Sequence, residues 1–249
     1  MLITIRSALF NLLFYLNTFV HSVAVVVTLV LPRRCVLNVA KSWARVSLWM
    51  LRPVCGIGVE WRGLEKIPSG PLIVACKHQS VWETFVLLTL FNEPAFIVKR
   101  ELVWIPMFGW AMWKGRMIPV NRGAGSQALA EMTARANFEL RWGQGRQIII
   151  FPEGTRRPAG AEPKYKYGVA HLYAACGVSC LPIALNSGLF WPRRSFRRIP
   201  GTVILEVLDP IPPGLDKDEF FARLKNELET ATERLVEEGR RELERNLSG

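Results

Sequence analysis

Residues 7–31, SALFNLLFYLNTFVHSVAVVVTLVL, contain no charged side chain, and this stretch limits where the rest of the chain can sit. As an α-helix it would be roughly 37 Å long, enough to cross a hydrocarbon core of about 30 Å. A cleaved signal peptide fits less well. The apolar stretch is too long, and Pro32-Arg33-Arg34 follows it where a cleavage site would need small residues. Asn11, Asn17, Thr18, His21 and Ser22 interrupt the apolar surface, so a simple span and a helix that dips in and returns both remain open. Arg33, Arg34, Lys41 and Arg45 come next, which puts this end on the cytoplasmic side of the membrane. A second amphipathic stretch, about Val39 to Leu51, carries Trp43 and Trp49 and suits the lipid interface. Residues 1–55 are therefore expected to form an N-terminal membrane anchor, spanning or re-entrant, on the inner (cytoplasmic) membrane.

Charge supports a lipid partner. The chain carries +11 overall, yet residues 214–249 hold ten acidic and seven basic side chains, so the body before them is more basic than the total suggests. A basic body suits nucleic acid or anionic lipid. Zinc-ligand spacings and an RNP-like aromatic pattern are both missing from the sequence, which excludes the common nucleic-acid modules. Half the residues are hydrophobic and nine are Trp, a side chain suited to the lipid–water boundary. The five cysteines, Cys35, Cys55, Cys76, Cys176 and Cys180, are odd in number and scattered, against a disulfide framework or a metal site.

From Gly56 onward, short apolar runs alternate with helical patterns. IGVEW (57–61), PLIVAC (71–76), PAFIVK (94–99), RQIIIF (146–151), CLPIAL (180–185) and TVILEVL (202–208) have the length of strands. Residues 81–91 and 126–142 read as helices. Residues 217–246 read as a long charged helix with Phe220, Phe221, Leu224, Leu228, Leu235 and Leu243 near helical spacing. This alternation predicts an α/β fold, a mixed and partly parallel sheet flanked by helices, as one domain over 56–249 behind the N-terminal helical pair.

Candidate site residues fall at strand ends, where open α/β sheets bind ligands. His78 follows the 71–76 strand, and Glu83 lies one turn into the next helix. The carboxylate could fold back on the imidazole and fix its tautomer, although an unrelated surface pair has the same spelling. After the IIIF strand comes Pro152-Glu153-Gly154-Thr155-Arg156-Arg157. Glycine there lets backbone approach a ligand, and Thr155 and Arg156 suit a phosphate, although a turn with solvated arginines is ordinary too. Arg122 is a second candidate phosphate ligand. WIPMFGWAMW (104–113) supplies Trp104, Phe108 and Trp110 as acyl-chain or interface contacts, and the strand around Pro182 is expected to line the site. His171 reads as a packing residue. RRSFRR (193–198) suits lipid headgroups, an acidic carrier protein or plain solvent.

KHQSVWETF, KRELVWIPMFGW with GRMIPVNR, FPEGTRR and LPIAL, in this order, resemble the four blocks of the glycerolipid acyltransferase family, most narrowly the bacterial 1-acyl-sn-glycerol-3-phosphate acyltransferases. The resemblance runs from about His78 to Ala184. It implies His78 as catalytic base, with Glu83 in place of the usual Asp, and it places Glu153, Gly154 and Arg156 in the block that binds the substrate phosphate. Arg122 would end the second block. It also implies an α/β domain behind a re-entrant helical pair. Lys77 and Asn121 depart from the Asn and Asp common at those positions.

The expected reaction is transfer of an acyl group from acyl-CoA or acyl carrier protein to the sn-2 hydroxyl of lysophosphatidate, with no cofactor and no metal. Another lysolipid acceptor, such as a lyso-ornithine lipid, would use the same chemistry. A covalent route through Cys76 would instead give ping-pong kinetics. A non-catalytic binder of anionic lipid would have no use for a His–Glu pair beside an apolar groove.

Overall fold

Apolar runs without polar alternation need cover on both faces, which the centre of a parallel sheet provides. The computed structural model, which describes residues 1–121, 125–142 and 145–248, contains such a sheet. The described residues form seven strands: β1 (Ile57–Arg62), β2 (Leu72–Cys76), β3 (Pro94–Lys99), β4 (Ile118–Val120), β5 (Gln147–Ile150), β6 (Cys180–Leu185) and β7 (Gly201–Val207). Their spatial order is β1-β7-β6-β2-β5-β3-β4. Strands β6, β2, β5, β3 and β4 run parallel. β7 turns antiparallel to β6, and β1 follows β7 in parallel. The sheet is thus mixed and mostly parallel. Every residue of β2, β5 and β6 is buried.

Alternate residues of these strands feed two cores. Val74, Cys76, Ile149, Leu181, Ile183 and Leu205 face the helices α1 (Leu2–Thr28), α2 (Arg33–Met50) and α3 (Trp82–Leu90). Ile73, Ala75, Ile148, Ile150 and Ala184 face the opposite layer, which includes α5 (Gly125–Trp142), α6 (Gly168–Cys176) and α8 (Lys217–Ser248). On α8 the buried stripe is Phe220, Leu224, Leu228, Ala231 and Leu235, at the i, i+3/i+4 spacing that gives one helical face. Among the described residues there are also two short α-helices, α4 (Phe108–Lys114) and α7 (Ser187–Phe190), and short π or 3₁₀ segments at Leu51–Cys55, Leu64–Lys66 and Arg100–Trp104. The sequence pattern did not reveal α4, which begins inside the aromatic stretch 104–113, or β4, which follows it.

The N-terminal helices form a pair that packs on the sheet. Of the polar residues that interrupt α1, Asn11 accepts from Arg198 at 3.0 Å, while others point at α2: Asn17 Nδ2 donates to Ser47 Oγ at 3.0 Å, and Trp43 Nε1 donates to Thr18 Oγ1 at 3.0 Å. His21 Nε2 lies 3.2 Å from Ser42 Oγ. Phe10 and Ala44 are fully buried in the same core as β2. The opposite face of α1, including Leu9, Leu12, Leu16, Phe19, Val23 and Val27, is exposed. Two sequence expectations change here. Lys41 is buried, and its Nζ donates to the carbonyls of Phe91 at 2.9 Å and Asn92 at 2.7 Å, satisfying acceptors left at the end of α3. Trp43, expected at the lipid interface, instead packs edge-on against Phe85 at 4.7 Å. Trp49 remains exposed.

Candidate active site

Strands β2 and β5 are parallel neighbours, so the loops after them emerge side by side. One carries His78 and the other carries residues 152–157. The first loop is shaped by one half of a capping box: in Ser80-x-x-Glu83, the Glu83 carboxylate reaches back to the backbone at the start of α3. Glu83 Oε1 accepts the N–H groups of Gln79 and Ser80, each at 2.7 Å, and lies 2.9 Å from His78 Nδ1. Oε2 accepts the Ser187 hydroxyl at 2.8 Å. The carboxylate is fully buried in the first turn of α3, where the helix dipole favours a negative charge. A carboxylate has only acceptors to offer, so Nδ1 donates to it, and in the neutral tautomer this leaves the lone pair on Nε2. The ring is stacked on Phe151, with centroids 3.8 Å apart and planes 13° apart.

His78 opens on a cavity of about 440 Å³. Val25 of α1, Leu37 and Ala40 of α2, Phe85 and Leu88 of α3 and Met112 of α4 make its lining largely apolar. Polar groups join His78 from the second loop: Gly154, Thr155 and Arg156. Gly154 has φ +66°, the left-handed region, and a Cβ there would come within 3.1 Å of the Lys166 side chain. Arg156 is half-buried and forms no ion pair among the described residues. Burial lowers its pKa from the ordinary value, the buried Glu83 opposes that shift, and Arg193 and Arg194 add to it. A cavity that joins an apolar wall, an imidazole and a cation with no ion pair among the described residues suits an amphiphile with an anionic head.

The family model for acyltransferases matches residues 58–186, just over half of the chain. The chain belongs to the acyltransferase family. It is 38% identical over 201 residues to the 1-acyl-sn-glycerol-3-phosphate acyltransferase of Pseudomonas aeruginosa, covering 80% of this chain and 77% of that protein. It is 30% identical over 203 residues to the human 1-acyl-sn-glycerol-3-phosphate acyltransferase alpha, covering 79% of this chain and 71% of the relative. The fold is similar to the crystal structure of the 1-acyl-sn-glycerophosphate (LPA) acyltransferase PlsC from Thermotoga maritima. The TM-score is 0.75 at 24% identity, over 93% of this chain and 98% of that one. The protein is an O-acyltransferase.

Not every residue singled out from the sequence reaches the acyltransferase cavity. Glu153 does not: it is buried, with Oε1 3.0 Å from Lys77 Nζ and Oε2 accepting the His78 backbone N–H at 3.0 Å. A carboxylate with both oxygens engaged this way offers a phosphate nothing, and its charge would repel one. Pro182 does not line the cavity either. It lies within β6 opposite Ala75, buried in the sheet. Phe108 lines the cavity, while Trp104 and Trp110 point outward with Trp113. Arg122 lies outside the described residues. Cys76 is fully buried, and burial pushes its thiol well above the ordinary range, which leaves no thiolate to act as nucleophile. His171 is a half-buried packing residue whose ring meets Tyr167 edge-on at 5.2 Å. Of RRSFRR, Arg198 is buried over the Trp191 ring at 4.4 Å, and Arg193 donates to the Arg156 carbonyl at 2.6 Å. The sequence places Ser187 just after the strand expected to line the site but gives it no role, since no local pattern links it to Glu83. The sequence reading missed the Ser80-x-x-Glu83 cap, which is a local pattern.

Proposed function

We propose that this acyltransferase moves a fatty acyl group from an acyl thioester, of coenzyme A or acyl carrier protein, to the sn-2 hydroxyl of lysophosphatidate, forming phosphatidate. The observation that carries the proposal is the His78–Glu83 pair at 2.9 Å, with Nε2 left to a cavity whose other polar lining includes Arg156. His78 Nε2 takes the hydroxyl proton as the oxygen attacks the thioester carbonyl. The C–S bond then breaks, and the imidazolium returns its proton to the departing thiolate. General base catalysis of this kind contributes about 10²- to 10⁴-fold. Glu83 holds the reactive tautomer and stabilises the transient imidazolium. Arg156 and Thr155 hold the phosphate, with Gly154 allowing close approach and Arg122 expected to join them, so their contribution is proximity. The apolar walls from α1, α2 and α3 hold acyl chain.

The names of the relatives support lysophosphatidate as acceptor. The exposed apolar face of α1, together with exposed Trp49, Trp104 and Trp113, supports docking on membrane lipid, which we place at the cytoplasmic face of the inner membrane. The deciding experiment measures transfer from labelled acyl-CoA and from acyl carrier protein to lysophosphatidate in detergent micelles, for wild type and His78→Ala. Phosphatidate formed by wild type and lost in a folded mutant is the expected result. Full activity in His78→Ala would end the mechanism. Acylation of a lyso-ornithine lipid in place of lysophosphatidate would move the acceptor.

A further inference from the structure

Next to His78 in sequence, a lysine is buried between two carboxylates. Lys77 Nζ donates to Glu153 Oε1 at 3.0 Å and to Glu229 Oε1 at 2.7 Å. Glu229 comes from α8 and also accepts the Tyr165 hydroxyl at 2.5 Å, and the Tyr165 ring lies 5.4 Å from the ammonium. The side chains of Lys77 and Glu153 are 5% and 1% exposed. Ionic groups taken this far from water lose solvation, and such clusters often stabilise a fold no better than apolar side chains would. Stability alone is therefore a poor account of this one.

Its geometry supplies another account. The two oxygens of Glu153 serve different partners: one holds Lys77, and the other accepts the His78 N–H. From the same turn, the Arg157 N–H donates to the His78 carbonyl at 2.8 Å. Both backbone groups of His78 are thus gripped by residues 153–157. The grip on the N–H is charge-assisted, and it is only as fixed as the Glu153 rotamer. Lys77 fixes that rotamer, and Glu229 anchors Lys77 to the long C-terminal helix.

We propose that Lys77 is a positioning residue: acting through Glu153, it sets the His78 backbone so that the imidazole meets Glu83 and presents Nε2 to the acceptor hydroxyl. This rests on His78 being the general base. A displacement of about 1 Å at a reacting group can cost on the order of 10²-fold in rate. Lys77→Met is therefore expected to lower kcat per folded molecule by about ten- to a hundredfold, with KM for the acyl thioester changed less than about twofold. A purely structural lysine would lower the melting temperature and leave kcat of the folded fraction alone. Lys77→Arg keeps the charge and the donors. Lys77 also lines a polar cavity of about 500 Å³ that gives the larger head room, so most of the lost kcat should return.

The experiment compares wild type, Lys77→Met, Lys77→Arg, Glu153→Gln and the double variant Lys77→Met/Glu153→Gln, with folded fraction read by circular dichroism. The double variant removes the pair together, so it keeps the test open where Lys77→Met alone fails to fold. Because Lys77 acts through Glu153, the double variant should match Glu153→Gln in kcat. Wild-type kcat in folded Lys77→Met, or a further tenfold loss on adding Lys77→Met to Glu153→Gln, would overturn the proposal. His78→Ala, run alongside, separates the two claims: if it stays active, the general-base reading fails first. If it is inactive while Lys77→Met is unimpaired, only the positioning role fails.

Discussion

Glu83→Gln isolates the charge of the buried carboxylate from its shape. Glu83 Oε1 meets three donors, His78 Nδ1, Gln79 N–H and Ser80 N–H, and among the described residues Oε2 meets only the Ser187 hydroxyl. A glutamine can place its carbonyl oxygen where Oε1 was and keep all three. Its NH₂ then faces Ser187, whose hydroxyl rotates to accept. The geometry and the Nδ1–H tautomer survive, so stability should change by about 1 kcal/mol or less, a shift of roughly 2–4 °C in a chain of this size. The attraction between the carboxylate and the imidazolium formed in the reaction is lost. Unit charges about 4 Å apart at an effective dielectric near 20 attract by about 4 kcal/mol. At about 1.4 kcal/mol per decade this is close to 10³-fold. The backbone donors stay in place and offset part of it, so a fall in kcat of about 10²- to 10³-fold is expected, with KM nearly unchanged. Initial rates of labelled acyl transfer to lysophosphatidate, with thermal unfolding of both proteins, make the measurement. A folded Glu83→Gln enzyme that keeps more than about a tenth of the wild-type kcat would refute the reasoning.

Glu83→Asp keeps the charge but shortens the reach by about one methylene; kcat should fall by roughly tenfold, less than in Glu83→Gln, and the order of the two variants is the check. Arg156→Ala should raise KM for lysophosphatidate by about ten- to a hundredfold through loss of a charge-assisted contact. The same change should leave the melting temperature equal or higher, since a half-buried cation without an ion pair is removed. Gly154→Ala puts a side chain at φ +66° against Lys166, so it should cost about 1–2 kcal/mol of stability in chemical denaturation and reduce acceptor binding. Cys76→Ala should retain activity, and intact enzyme should resist thiol alkylation at Cys76 at pH 8, because burial holds that thiol protonated well above this pH. Loss of transfer together with a trapped acyl-cysteine would reverse that view.

What could be read from the sequence was whatever depends on neighbours in the chain. Apolar runs such as LIVAC and QIII declare buried strands by composition, and a histidine two residues past one of them emerges at the C-terminal end of the strand. The juxtaposition of the His78 and Gly154 loops needs one more fact, that β2 and β5 are adjacent, and that is a property of strand order. The errors have the same origin. Glu153 reads as a ligand because it sits among phosphate-binding residue types, but its rotamer is decided by Lys77, 76 positions away. Lys41 reads as a topology signal because lysine is usually solvated, yet it caps carbonyls 50 and 51 positions away. Ser187 reaches Glu83 from 104 residues on, at the start of α7. Each of these long-range contacts satisfies a buried polar group, and each ends within one or two bonded or hydrogen-bonded steps of the His78–Glu83 pair, Lys41 excepted. The pair therefore depends on segments that carry no motif. A change at Glu229, 152 residues from Lys77 along the chain, is expected to be felt at His78 more strongly than one at exposed Arg197, which stands within a conspicuous basic run.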